Sequence, residues 1–383
     1  MAGLTTAIFL KTHRMKISGI WELWKTAGLI LLIVLCEACH KENRKTKPLP
    51  EETPTRFISA ADISFFPEIE QTHPVFYNLN NQPQDFLRIL KDSGINTIRL
   101  RLWVSPASGH SGFEEVRQFS AQLQDLGFQI WLTVHYSDTW ADPAHQKTPT
   151  QWQGLSYNNL KDSAEQYTRK VVKHLQPHYI QIGNEINPGL LLPLGNRFSN
   201  PDQYLELLTV CAQAVRSTSP DTRIIMHYAG LEGSDAFYQQ IEDLDYDIIG
   251  LSYYPIWHGK SLDSLQNTLQ QLSTRFKKDV LIAETAYPFT LQWNDWTHNI
   301  IGSEDQIILP DFPASPQGQK DYIAYVRKMI TQNVSGGLGF CYWGAGWIAW
   351  KGNEAKDGSS WENQALFDFN NQALPVLQEF AVD

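Results

Sequence analysis

Cysteine is scarce, with 4 in 383 residues, too few for a disulfide-stapled scaffold. Charge is low, at 19% beside 42% hydrophobic residues, and that balance excludes a disordered chain. Basic residues are outnumbered: 31 Lys and Arg face 41 Asp and Glu, for a formal net charge of −10. A nucleic-acid binder usually carries the opposite footprint. There is no internal repeat, no low-complexity tract and no H-E-x-x-H metal motif. What the chain has in excess is tryptophan, 13 residues within a 12% aromatic share. An indole either fills a core or offers a flat apolar face to a ligand, so the location of these residues carries information.

The apolar run at residues 27–35 (AGLILLIVL) follows Lys16 and Lys25. It is shorter than the roughly 20 residues a membrane span needs and suits the core of a secretory signal. Met15 offers a better start than Met1, because MKISGIWELWK makes the more regular leader. Cys39 after Ala38 resembles the lipidated cysteine of a bacterial lipoprotein; plain cleavage without a lipid is the alternative. Residues 1–38 are therefore expected to be a signal peptide. Residues 39–56, charged and Pro-bearing, read as a flexible tether, and residues 57–383 as the folded domain. The expected location is the outer membrane of a Gram-negative bacterium, facing the surface or the periplasm, or else secretion. Cys36 and Cys39 have redox-pair spacing, but no second pair or βαβ context supports that use.

From Phe57 onward, short apolar runs alternate with longer amphipathic ones. Strands are expected at 57–63, 96–103, 128–136, 179–185, 223–228, 246–254, 279–285 and 337–343. Their near-continuous hydrophobicity is that of buried parallel strands. Helices are expected at 83–94, 113–127, 158–175, 202–217, 261–276 and 315–333. Eight strands alternating with helices predict an α/β fold, a single-domain (β/α)8 TIM barrel. A doubly wound sheet is the alternative, but Ile63-Ser64-Phe65-Phe66-Pro67 follows the first strand where a Gly-rich turn would be expected.

In such a barrel the chemistry sits where the strands end. The fourth strand ends Gly183-Asn184-Glu185 and the seventh Ala283-Glu284-Thr285. One charged residue closing a buried strand is commonly a rim ion pair. Two, on strands that face each other across the mouth, suggest the paired carboxylates of a retaining glycosidase. Asn184 beside Glu185 suits a sugar hydroxyl. Arg99 or Arg101, on one face of the second strand, would hold the opposite carboxylate ionised. This reading makes Glu185 the acid/base and Glu284 the nucleophile. Asp62 is a candidate acceptor for either arginine. His135 and His227 end the third and fifth strands, and no ligand spacing makes them a metal centre. Of Tyr253 and Tyr254, alternation turns one inward, and Tyr254 is expected.

The runs His135-Tyr136-Ser137-Asp138-Thr139-Trp140-Ala141-Asp142-Pro143, Gly183-Asn184-Glu185-Ile186, Ser252-Tyr253-Tyr254-Pro255, Glu284-Thr285-Ala286-Tyr287-Pro288 and Trp361-Glu362-Asn363-Gln364-Ala365-Leu366-Phe367-Asp368 resemble the endo-β-1,4-galactanases of glycoside hydrolase family 53. Arg99-Leu100-Arg101-Leu102-Trp103-Val104 matches that family's second strand. The resemblance covers roughly residues 57–375. It implies the same barrel, hydrolysis of β-1,4-galactan from pectin or type I arabinogalactan, Glu185 as acid/base and Glu284 as nucleophile. It places Arg99, His135, Asn184, Tyr254 and Trp343 around the sugar; Asp138 and Trp140, in the polar and aromatic loop after His135, are further substrate-binding candidates. It implies no cofactor for the chemistry. Some bacterial relatives carry a structural calcium between the seventh and eighth loops, for which Asp357, Glu362 and Asn363 are the candidates. One departure stands out: Trp343-Gly344-Ala345 replaces the family's Trp-Glu-Pro, which bears on subsite affinity and chain-length preference.

Two alternatives remain: a β-mannanase or xylanase of the same barrel class, and a surface glycan-binding lipoprotein without catalysis. A binder needs aromatics but has no use for a paired acid and nucleophile. The tryptophans fit a glycan cleft in either case. Trp21 and Trp24 fall in the leader and Trp131 inside the third strand. Trp103, Trp140, Trp152, Trp257, Trp293, Trp296, Trp343, Trp347, Trp350 and Trp361 fall at strand ends or in the loops beyond, outside every expected helix. Mass spectrometry of the native N-terminus is expected to find acyl chains on Cys39; an unmodified terminus would remove the anchor.

Overall fold

The computed structural model describes residues 57–381. The expected leader, tether and Cys39 lie outside the described residues. Eight parallel strands pair in chain order, and the last closes on the first. They are β1 (Ile58–Asp62), β2 (Thr97–Leu102), β3 (Gln129–Val134), β4 (Tyr179–Ile182), β5 (Arg223–Ala229), β6 (Ile248–Ser252), β7 (Asp279–Thr285) and β8 (Gly337–Tyr342). The barrel closes by pairing Ile58 with Gly339 and Ala60 with Cys341. A doubly wound sheet is thereby excluded.

The connections carry helices α1 (Phe86–Asp92), α2 (Phe113–Asp125), α3 (Tyr157–Leu175), α4 (Pro201–Thr218), α5 (Ser234–Gln240), α6 (Leu262–Phe276) and α7 (Pro316–Lys328). Four of their starts follow side-chain capping chemistry. The side chains of Asp85, Ser156, Ser261 and Ser315 each accept a backbone N–H from the first turn. Helix α5 has no counterpart in the sequence reading. Its seven residues span under two turns and bury chiefly Phe237 and Tyr238, too little for a period to emerge. The last helix, expected to run to 333, gives way at Lys328 to a π turn over Met329–Asn333. Trp257, expected outside any helix, lies in the short helix Pro255–His258.

Two apolar layers follow from strand alternation. Outward residues such as Ile98, Leu100 and Ile130 pack against the helices. Inward residues Ile58, Ala60, Trp131, Ile225, Ile248, Leu281, Ala283, Leu338 and Cys341 fill the barrel. Trp131 is fully buried there.

Two departures from regular backbone geometry lie under the expected carboxylates. Leu251 pairs with Ile282 but Ser252 pairs with Glu284, so β7 carries one extra residue against β6. With Leu281 and Ala283 inward, simple alternation would turn Glu284 outward; the bulge returns it to the mouth. The expected fourth strand, 179–185, stops at Ile182, and just beyond it Gly183 (φ 78) and Glu185 (φ 47) both take left-handed backbone. They turn the chain so that Asn184 and Glu185 both face inward. At Gly183 a Cβ would lie 2.4 Å from Ile186 Cγ2, so only glycine fits.

Barrel closure has its own glycine. A Cβ on Gly339 (φ +145) would lie 2.0 Å from the Ile58 carbonyl oxygen. Gly339→Ala is expected to destabilise the fold by about 2 kcal/mol or more. Gly302→Ala, in open space, is expected to be neutral. Equal unfolding midpoints for the two variants in denaturant titrations would show that this close approach is dispensable.

Candidate active site

The strand ends converge on Arg99. Its guanidinium, 2% exposed, sits 5.5 Å above the Trp131 ring. Nη1 donates to Asp62 Oδ2 at 2.9 Å. Nη2 donates to Glu284 Oε1 at 2.7 Å and Asn184 Oδ1 at 2.8 Å. Burial alone would push this guanidinium's pKa down; the charges of Glu284 and Asp62 more than reverse it. Of the two candidate arginines, Arg99 is thus the one that pairs with the carboxylate. Arg101 is instead enclosed by Phe65, Trp103 and Trp140, with ring centroids at 4.6, 4.3 and 4.1 Å, and it hydrogen-bonds Ser111.

Both oxygens of Glu284 are engaged, Oε1 by Arg99 and Oε2 by the Tyr254 hydroxyl at 3.0 Å. Tyr253 turns away and bonds the Gly259 carbonyl, so Tyr254 is the inward tyrosine. Glu185, half-buried, has no cation on it among the described residues; its Oε1 accepts from Ser252 Oγ at 2.6 Å. The ligand atoms of Glu185, His227 and Glu284 lie within 4.8 Å of one another. Burial and then the charge of Glu284 push the Glu185 carboxyl up to about 8. Burial also raises Glu284, but Arg99 and Tyr254 pull it back. Of the two, Glu284 gives up its proton first.

Glu185, Glu284 and His227 could also be read as donors for a metal ion. Among these, His227 has no spare lone pair, since Nδ1 faces the Gln181 side-chain amide and the Glu185 backbone N–H while Nε2 faces Ser252. Arg99 already supplies the cation for Glu284.

The surrounding cleft encloses about 520 Å³. It is lined by Arg99, His135, Trp140, Asn184, Glu185, Tyr254, Glu284 and Trp343, all named from the sequence, together with Trp257, His258, Trp347, Trp361 and Asp142. His135 Nδ1 accepts the Ala141 N–H at 3.1 Å, which places its proton on Nε2. Burial, with Arg101 and Arg99 nearby, holds this imidazole neutral. Asn184 Nδ2 donates to the Ala141 carbonyl. Trp343 meets Trp361 edge-on at 4.7 Å between centroids, and Phe65 stacks on Trp347 at 4.0 Å.

Asp138 requires correction. It does not line the cleft. Its oxygens accept the backbone N–H groups of Ser105 and Thr150 at 3.0 and 2.7 Å, so it ties the β2 and β3 loops together. Its place among polar loop residues drew it into the expected site. The sequence reading missed His258 and Ser252, whose roles depend on spatial neighbours; Trp257, Trp347 and Trp361 were legible as loop tryptophans.

The calcium candidates separate. Asp357 is exposed and pairs with Lys351 at 2.8 Å. Glu362 is buried and accepts the Asn294 N–H at 2.6 Å, and Asn363 Nδ2 donates to the Thr290 and Ile301 carbonyls. Asp295 Oδ2, Asn299 Oδ1 and Asn363 Oδ1 are buried without a partner. They are oxygens of the kind a hard cation takes.

The model of glycosyl hydrolase family 53 matches residues 58–380. An uncharacterized protein of Niallia circulans is 37% identical, over 83% of this chain and 92% of its own. The arabinogalactan endo-β-1,4-galactanase of Cellvibrio japonicus is 31% identical, over 86% of this chain and 92% of its own. Among solved structures, the family 53 catalytic domain of Ignisphaera aggregans superposes with a TM-score of 0.79 at 36% identity, covering 86% of this chain and 97% of that one. With a family match spanning the barrel and the same barrel in a solved member, the chain belongs to glycosyl hydrolase family 53.

Proposed function

We propose that the protein is an endo-acting β-1,4-galactanase that works by double displacement with retention. The observation that carries the mechanism is two carboxylates within 4.8 Å in unlike environments, one matched by Arg99 and one not. Carboxylates this close suit direct attack, which takes about 5–5.5 Å between them, whereas inverting enzymes leave about 6.5–9.5 Å for a water. Galactan as substrate rests on the galactanases among the relatives.

Glu284, held by Arg99 and Tyr254, attacks the anomeric carbon. Glu185 gives its proton to the departing glycosidic oxygen. The bond to Glu284 removes that carboxylate's charge, one of the groups raising Glu185. The Glu185 carboxyl then titrates lower, so after giving up its proton it stays ionised and can take one from the water that releases the sugar. Asn184 and His135 bond sugar hydroxyls, while Trp140 and Trp343 stack on sugar C–H faces. A neutral glycan needs no basic surface, so the chain's acidity does not oppose binding. Calcium held by Asp295, Asn299, Asn363 and Glu362 would tie the β7 and β8 loops and take no part in bond cleavage. Export and anchoring at Cys39 complete the proposal, placing the enzyme where polysaccharide is met.

Reducing-sugar release is expected from β-1,4-galactan, and not from mannan or xylan. Glu284→Ala is expected to lose at least about a thousandfold in kcat while still binding galacto-oligosaccharides. Because Glu185 must be protonated, kcat/KM falls as pH rises through about 8. NMR of the first product is expected to show the β anomer; an α anomer would overturn retention.

A further inference from the structure

A closed hydrogen-bond circuit leads from the backbone of Glu185 to its own carboxylate. His227, fully buried on β5, receives two donors at Nδ1: the Glu185 backbone N–H at 3.3 Å and the Gln181 amide at 2.9 Å. Asn184 Oδ1, 3.2 Å from the same nitrogen, already accepts from Arg99 and Gln181. Two donors on Nδ1 place the imidazole proton on Nε2. Nε2 faces Ser252 Oγ at 2.8 Å. With that hydroxyl accepting from His227, its own proton points to Glu185 Oε1 at 2.6 Å.

We infer that Ser252 and His227 are positioning residues that fix which oxygen of Glu185 carries the proton and how tightly it is held. This rests on the reading of Glu185 as the acid/base. Oε1 is occupied as an acceptor, so the proton rides on Oε2, which is left for the glycosidic oxygen. The Ser252 hydrogen bond also favours the ionised carboxylate, opposing burial. His227 stays neutral, because burial and the Arg99 charge keep it from protonating. A charged imidazole would donate at Nδ1 as well and break the circuit.

Other groups also act on Glu185. Glu284 on β7 and Asp142 in the β3 loop raise its proton affinity, and Arg99 on β2 lowers it. None of these is altered by a change at Ser252. The β7 bulge lies opposite Ser252, so one backbone irregularity helps aim both carboxylates.

The test is Ser252→Ala in the full-length enzyme, with Ser252→Cys as a weaker donor and Glu185→Gln as control. Loss of the hydroxyl is expected to move the basic limb of kcat/KM against pH upward by about one unit. The cysteine variant is expected to lie in between. kcat on galactan is expected to fall about tenfold or more, with KM within about twofold. An aryl galactobioside with an acidic phenol leaving group needs little protonation, so its glycosylation step is expected to be nearly unaffected. An unmoved or lowered basic limb in both Ser252 variants would overturn the inference. So would an equal rate loss for galactan and the aryl substrate. If Glu185→Gln turns over galactan at the wild-type rate, the acid/base reading itself fails, separately from the role of Ser252.

Discussion

The active end of the barrel is organised by one buried cation. Arg99 enters from β2 and its guanidinium lies over Trp131, away from bulk water. A charge in that position is tolerable only when it is paired and hydrogen-bonded. The compensation comes from three other strand ends: Asp62 from β1, Asn184 beyond β4 and Glu284 from β7. Removing Arg99 would leave two buried carboxylates unmatched; removing Glu284 would leave Asp62 as its only anionic hydrogen-bond partner. The same pairing creates the chemical asymmetry. Because Arg99 spends its charge on Asp62 and Glu284, Glu185 faces Glu284 with no cation of its own and keeps its proton.

Regular barrel geometry alone would not produce this arrangement. Alternation along β7 turns Glu284 toward the helices, and an extended β4 turns Asn184 and Glu185 to opposite sides. The bulge opposite Ser252 and the left-handed backbone at Gly183 and Glu185 overcome both constraints. Such distortions persist where the surroundings over-determine them. Here the Arg99 contacts fix Asn184 and Glu284, and the His227–Ser252 circuit fixes Glu185.

Much of this was legible before the structure. The strands were readable because buried parallel strands are continuous apolar runs. The two glutamates were readable because a charge at the end of such a run is anomalous. Alternation did not separate Arg99 from Arg101, since both share one face of β2, and only the family resemblance favoured Arg99. The choice is decided by Phe65, Trp103 and Trp140, which close around Arg101 from other segments. Asp138 failed for a related reason: polar density in a loop does not separate a residue facing a ligand from one bonding backbone N–H groups. Ser252 was invisible because its importance lies in a partner 67 residues away and in a bulge with no local sequence signal. Helix α5 was simply too short to show a period.

The departure after β8 gains a physical meaning. Gly344 has φ +71, and a Cβ there would lie 2.6 Å from Trp361 Cδ1. The backbone angle and the close approach both require glycine. Its absence of a side chain is what lets the Trp361 indole stand edge-on against Trp343 and near Trp257, with centroids at 4.7 and 6.3 Å. Any larger residue at 344 would displace Trp361 from the cleft wall. Gly344 is thus coupled to the seating of an indole, whose apolar surface at this edge suits a sugar ring's C–H face. That seating bears on how sugars are held along the cleft, and it leaves Arg99 and its two carboxylates untouched.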